Sequence, residues 1–445
     1  MAPPSPYINI IILFLISLLF HTAFPNTITL PLTPLLTKPQ FSDLKHIASG
    51  SLTRAHHLKH QRNSNSSSTT TQVYAKSYGG YSIDLSFGTP AQKTPFILDT
   101  GSSLTWFPCT LHYICSHCAS IKIKTFLPKL SSTAKLLGCT NPKCSYLYPS
   151  LSHCNQTCPP YILQYGSGST AGILLLDNLD FPKTTVHDFL VGCSILSIRQ
   201  PSGIAGFGRG NESLPSQMAL KRFSYCLISH NLDDSAQSSD LLLQTTSSGD
   251  TKTQNLTYTP FSHNPSSNNS AYKEYYYVPL RKVLVGPNSV NIPLHYLEPD
   301  SEGNGGTIVD SGTTYTYMER PIYDSVSREV VNQLGNYSRA KGIEAQSGLS
   351  PCYHVSGVKN LTFPSFTLQF KGGAKMKLPL ANYFSLIQNS NVVCFTVVSD
   401  DGSGPANMTG PAVILGNYQQ QNFFIEFDLE NERFGFRHQS CNKKH

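Results

Sequence analysis

The chain has 445 residues, more than one ordinary hydrophobic core organises, so two lobes are expected. Only 13% of residues are charged, while Gly, Pro and Tyr number 31, 30 and 23, a balance that suits a β-rich, turn-rich extracellular protein and argues against a helical cytosolic one. The formal net charge of +7 is concentrated near the start of the chain. A basic tail that binds nucleic acid is the first use of such charge, and a secretory leader in front of it argues against that use.

That leader is read from Ile8 to Phe20, INIIILFLISLLF. Thirteen residues are too few to span a bilayer comfortably and match the apolar region of a signal peptide, so residues 1–25 are assigned as signal. No later stretch is long and apolar enough to anchor the chain, and the end, HQSCNKKH, carries no hydrophobic tail for a lipid anchor. Residues 26–73 follow as a basic stretch, with Lys38, Lys45, Arg54, Lys59 and Arg62 against Asp43 between Pro25 and Gln72. It closes on NSNSSSTTTQ, a flexible and easily cut linker. A removable pro-segment that covers an acidic cleft accounts for its position, charge and linker together. A disordered basic tail is the competing reading.

Twelve cysteines, an even number behind a leader, predict disulfides. Seven of them crowd between Cys109 and Cys158. HYICSHC, His112 to Cys118, would also suit a tetrahedral zinc ion, but the oxidising compartment favours disulfides. Spacing alone leaves the connectivity open. Sequons begin at Asn65, Asn155, Asn211, Asn255, Asn268, Asn336, Asn360 and Asn407, available for glycosylation in that compartment.

The chemistry begins at FILDTGSSLTWFPC, Phe96 to Cys109, where an apolar strand runs into Asp99 and a tight turn at Gly101. A second copy, TIVDSGTTYTYM, spans Thr307 to Met318 and carries Asp310. The match extends outward: two apolar residues and a glycine end at Gly206, 107 residues beyond Asp99, and again at Gly416, 106 beyond Asp310. The chain is therefore read as a duplicated lobe, with residues 74–256 and 257–445 as its halves. A pseudo-two-fold axis would bring the two turns face to face. Gly101 and Gly312 would permit the close approach. Thr100 and Ser311 would hydrogen-bond across the axis, and Ser102 and Thr313 would donate to the carboxylates. Facing carboxylates cannot both ionise cheaply, so the pair would share a proton and act as base and acid around one water. The reaction that fits is peptide hydrolysis in acid.

Both motifs and their order resemble the pepsin-like aspartic proteases, and the Cys-rich insertion with a basic pro-segment is similar to the plant nepenthesin type. The resemblance covers about Tyr78 to Cys441. It implies a mainly β, bilobal fold around a central cleft, with Asp99 and Asp310 as the catalytic pair and no metal or cofactor. LQYGSGSTAG, Leu163 to Gly172, is similar to the family's hairpin flap, which makes Tyr165, Gly166, Ser167 and Gly168 substrate-binding residues. Trp106, the single tryptophan, matches the pocket aromatic that supports the flap tyrosine. Simple core packing is the other reading of Trp106 and Tyr165. No segment of saposin size interrupts the chain.

Among the remaining segments, Arg320 to Leu334 is the best helix by its spacing of apolar residues. GFGRG, Gly206 to Gly210, is read as a structural turn, and Glu274–Leu280 and Phe363–Phe370 as strands. The expectation is a secreted or cell-wall acid endopeptidase, monomeric, made as an inactive precursor and acting on protein or peptide substrates. The alternative is an inactive relative that binds proteins, like the plant xylanase inhibitors of this fold.

Overall fold

The computed structural model describes residues 27–34, 41–60, 79–118, 123–151, 154–166, 168–200, 202–229, 238–267, 269–356, 362–387, 390–400 and 410–441. The leader, the Ser/Thr-rich linker, Ser167 and the sequons at Asn65, Asn268, Asn360 and Asn407 lie outside these residues. The fold is bilobal, mainly β and pepsin-like.

Strand β1 (Thr27–Pro34) pairs antiparallel with Ser239–Gln244 through residues 27–32 and with strand β2 (Tyr81–Phe87) through residues 33 and 34. It lies within a 15-stranded sheet that runs from the N-terminal lobe to Phe423–Asp428 and Arg433–His438 near the chain end. TITLPLTP alternates polar and apolar residues, the period of a strand. In β2 the same period places Tyr81, Ile83, Leu85 and Phe87 in the core while the residues between them are half-buried. Phe87 packs edge-on against Phe107 and Phe189, with ring centroids 5.3 and 5.7 Å apart.

Helix α1 (Phe41–His60) separates these two strands in sequence. Leu44, Ile47, Ala48, Ser51, Ala55 and Leu58 recur at helical spacing and are all buried. They pack on a tyrosine-rich wall of the C-terminal lobe that includes Tyr272, Tyr275, Tyr277, Tyr315 and Tyr317. A lone helix of this composition is marginal in water, so the wall is what holds it. Its last carbonyls lack helical partners. The Tyr275 hydroxyl donates to the Leu58 carbonyl at 3.2 Å and the Tyr272 hydroxyl to the Lys59 carbonyl at 2.5 Å.

The duplication is visible in the strands. Strand β3 (Gln92–Asp99) pairs in parallel with Gly203–Gly206, with Gly206 opposite Asp99, and Ile204 in turn pairs antiparallel with Trp106. In the second half Thr307–Val309 pairs in parallel with Val413–Leu415, which pairs antiparallel with Thr316–Met318. The two matched intervals in the sequence are thus two copies of one three-strand arrangement. The glycines close it. A β-carbon on Gly206 would lie 2.1 Å from the Ser103 carbonyl oxygen, and one on Gly416 2.5 Å from that of Thr314.

All twelve cysteines are paired: Cys109–Cys193, Cys115–Cys118, Cys139–Cys154, Cys144–Cys158, Cys226–Cys441 and Cys352–Cys394. Cys115 and Cys118 bond to each other, which takes both sulfurs away from the zinc reading. Three bridges, Cys115–Cys118, Cys139–Cys154 and Cys144–Cys158, lie within the Cys-rich insertion, and Cys226–Cys441 ties the chain end to the sheet. The predicted helix forms over Arg320–Gln333 with Ile322, Val326 and Val330 buried. Of the two predicted strands, one forms at Phe366–Phe370. The other is shorter and broken: a 3-10 turn covers Ser270–Lys273, and pairing starts at Tyr277. Among the described residues no helix is long and apolar enough to cross a membrane.

Candidate active site

Asp99 and Asp310 end or follow equivalent strands and are both buried, at 1% and 0% exposure. The turns after them interlock. The Thr100 amide donates to Ser311 Oγ at 3.0 Å and the Ser311 amide to Thr100 Oγ1 at 2.9 Å. Each hydroxyl then donates across the axis to a strand carbonyl, Thr100 to Val309 at 3.0 Å and Ser311 to Leu98 at 2.9 Å. Four hydrogen bonds between buried groups hold the two loops in register, and none could be lost without stranding a polar atom.

Each carboxylate has its own pair of donors. Asp99 accepts from the Gly101 amide at 2.9 Å and Ser102 Oγ at 2.6 Å; Asp310 accepts from the Gly312 amide at 2.8 Å and Thr313 Oγ1 at 2.6 Å. The closeness of the loops explains the glycines. A β-carbon on Gly101 would meet Asp310 Oδ1 at 2.7 Å, and one on Gly312 would meet Asp99 Oδ1 at 2.5 Å.

A cation from α1 completes the site. Arg54 Nη2 lies 2.6 Å from Asp99 Oδ1 and 3.5 Å from Asp310 Oδ1, and Arg54 Nε lies 3.1 Å from Asp310 Oδ2. Its planar fork bridges both carboxylates at once, a task a lysine ammonium performs less well. Burial alone would lower the guanidinium pKa, but Asp310 and Asp99 outweigh it and raise it further. Burial pushes both carboxyls upward as well. On Asp99 the Arg54 charge, with the Ser102 and Gly101 donors, wins and holds it below the usual range. Asp310 stays raised, since burial and the Asp99 charge exceed the pull of Arg54. One carboxyl is therefore ionised and the other holds its proton more tightly.

The hairpin of Tyr161–Tyr165 and Gly168–Phe181 brings Tyr165 to a cavity it shares with Arg54 and Asp99. Trp106 Nε1 donates to the Tyr165 hydroxyl at 2.7 Å, and both rings are buried in one cluster with Tyr161 and Leu163. Trp106 and Tyr165 thus pack as core residues and also form a specific polar contact. The turn is pressed against α1: a β-carbon on Gly166 would lie 2.2 Å from Arg54 Cα. A cavity of about 50 Å³ remains among Arg54, Asp99, Tyr165, Gln200, Ile204 and Thr313. It has room for a few waters and none for a peptide.

Both aspartates and their loops are legible in the sequence, but Arg54 as their partner is not. Arg54 counted there only as one basic residue among five. The signal is present in the helical pattern, where a cation adjoins the buried face marked by Ser51, Ala55 and Leu58.

Curated relatives are similar in sequence to this chain over most of their length. A probable aspartyl protease of Arabidopsis thaliana is 32% identical over 413 residues, which covers 81% of this chain and 82% of the relative. The chain belongs to the pepsin-like aspartic protease family of plants. Within that family it is also similar to aspartic proteinase nepenthesin-1 of Nepenthes gracilis, 32% identical over 84% of this chain and 81% of that protein. Residues 81–243 and 275–438 match family models described as xylanase inhibitor N-terminal and xylanase inhibitor C-terminal. The crystal structures of edgp and of basic 7S globulin from soybean share the pepsin-like fold. Their TM-scores are 0.65 and 0.61, each at 18% identity, over 95% and 94% of this chain and 99% of each neighbour.

Proposed function

We propose that this member of the aspartic protease family is an acid endopeptidase made as an inactive precursor, with Asp99 and Asp310 as its catalytic pair. The observation that carries the reading is a complete carboxylate pair, each with its own two donors, bridged by an arginine from a removable segment. With α1 displaced, a water held between the carboxylates would lose its proton to the ionised one. The other, still protonated, would polarise the substrate carbonyl. The Tyr165 hairpin would close over the peptide. With α1 in place the pair is neutralised and covered, so residues 26–73 act as a pro-segment.

A secreted location, at the cell surface or wall, follows from the leader and is supported by the six disulfides. The sequons at Asn155, Asn211, Asn255 and Asn336 are on exposed residues, as glycosylation requires. The second reading, a protein-binding relative without activity, is favoured by the xylanase-inhibitor description of the matching family models.

The two readings part in one experiment. The purified full chain is incubated with denatured globin at about pH 3.5 and about pH 7, the range over which a shared-proton carboxylate pair gains and loses its working form. Cleavage in acid, lost in Asp310→Asn, supports the protease. A folded chain freed of its pro-segment that cuts nothing supports the binding protein.

A further inference from the structure

Five residues beyond Arg54, α1 seats a second cation. Lys59 is 5% exposed, and its ammonium donates to Glu319 Oε2 at 2.7 Å and to the Tyr317 hydroxyl at 3.2 Å. It also lies 5.0 Å from the centroid of the Tyr317 ring. The Tyr317 hydroxyl donates in turn to Asp400 Oδ2 at 2.9 Å, and His56 Nε2 lies 3.9 Å from the same oxygen. A lysine ammonium is strongly hydrated, and burying it is costly unless carboxylate, hydroxyl and ring replace the lost water. All three are present here.

The seat belongs to the protease lobe and not to α1. Tyr317 lies in the strand Thr316–Met318, which follows the Asp310 loop, and Glu319 comes directly after it. The neighbouring Arg320 is engaged with Asp324 Oδ1 at 2.8 Å and with the Asp400 carbonyl at 3.1 Å. The ion pair of Glu319 is made by Lys59, so departure of α1 removes the cation from a half-buried carboxylate. Five residues of helix advance about 7.5 Å, a distance an extended peptide covers in two to three residues. The seat is therefore within reach of a peptide bound at the carboxylate pair, along the wall of Tyr272, Tyr275 and Tyr315 that α1 covers.

We propose that Glu319, Tyr317 and Asp400 form a subsite for a lysine or arginine side chain of the peptide substrate, two to four residues from the bond that is cut. Lys59 holds that place in the precursor. The proposal rests on the proteolytic reading above, and the test separates the two.

The full chain carrying Asp310→Asn is folded, cut at a protease site inserted in the linker NSNSSSTTTQ, freed of its pro-segment by exchange in mild acid and returned to about pH 6.5. Fluorescein-labelled octapeptides with a central apolar pair, bearing Lys, norleucine or Glu at each outer position, are titrated by fluorescence anisotropy. In one register the Lys peptide should bind about tenfold more tightly than its norleucine counterpart, the lower end for a desolvated charge pair, with the Glu peptide weakest. Glu319→Gln in the same background should remove that advantage and leave the melting temperature within a few degrees. Equal Lys and norleucine affinities in every register, a Lys advantage that survives Glu319→Gln, or no binding of any peptide would overturn the subsite. Cleavage of the norleucine peptides by the chain with Asp310 intact is scored separately, so the protease reading stands or falls apart from the subsite.

Discussion

Arg54→Ala removes the side chain that bridges both carboxylates. Its three nitrogen–oxygen contacts, of 2.6, 3.1 and 3.5 Å, are made between groups that are all buried. Breaking a buried ion pair by deleting one partner costs about 3–5 kcal/mol, because the other charge is left without compensation. At about 1.4 kcal/mol per factor of ten, the balance between covered and open cleft shifts about 10²- to several 10³-fold toward open. The apolar face of α1 remains, and Leu44, Ile47 and Leu58 each still contribute about 1.5–3 kcal/mol. The variant should thus fold with α1 mostly in place but yield the cleft to a competitor. The assay is binding of a pepstatin-type inhibitor to the full chain near neutral pH. Apparent affinity should rise by two orders of magnitude or more, and Arg54→Lys, which keeps the charge but not the fork, should fall between. Leu58→Ala, which loosens the helix without touching the pair, is the control for general loosening. If Arg54→Ala takes up inhibitor no better than the parent chain, the arginine bridge does not hold the cleft closed.

Acid should open the precursor partly through His57. Burial and the Arg54 charge push its imidazole down to about 3 from an ordinary 6.5. The docked helix then refuses a proton that the free segment accepts, so docking weakens as pH falls below 6.5 and levels off near 3. Asp99, held low by Arg54 against the effect of burial, acts in the same direction, since the stability it adds is lost as pH falls through its depressed pKa. On Asp310 the Arg54 charge brought by α1 pulls in the same direction, against burial and the Asp99 charge that keep it raised. His57→Gln should lower the pH at which the full chain captures inhibitor, and an unchanged or higher midpoint would contradict this. Trp106→Phe leaves the buried Tyr165 hydroxyl without its 2.7 Å donor, at a cost of about 1–3 kcal/mol. In the activated protein this should appear as a fall in kcat/KM of about tenfold with modest loss of melting temperature. Gly206→Ala drives a methyl group to 2.1 Å from a backbone oxygen and should cost about 3 kcal/mol in thermal unfolding, with Ala205→Gly as a milder neighbouring control.

Much of this site could be read from the residue order because the catalytic loops are short and repeated. In each loop the aspartate, its glycine and its hydroxyl neighbours occupy four consecutive residues, Asp99 to Ser102 and Asp310 to Thr313, and a duplicated motif states its own geometry. The matched positions of Gly206 and Gly416 were equally legible, since close backbone approach permits one residue type. Arg54 was not, because its role depends on where a helix lies against a lobe more than 250 residues away in sequence. Nor can buried Lys59 be told from a surface lysine by sequence, since Glu319 and Tyr317, which surround it, lie far along the chain. Cysteine pairing is of the same kind: spacing permits many connectivities, and the fold selects one. The strand predicted from Glu274 begins only at Tyr277 for a local reason, as three successive tyrosines fill the core through a turn as well as through a strand.

The most direct test of the account is a single time course of the full chain at about pH 3.5, followed in one sample by N-terminal sequencing and by cleavage of an added peptide, beside Asp310→Asn. The account predicts a new N-terminus between residues 61 and 78, appearing together with peptide cleavage in the parent chain, and neither in the variant. A correctly folded parent chain that has shed residues 26–60 and still cleaves nothing would contradict it.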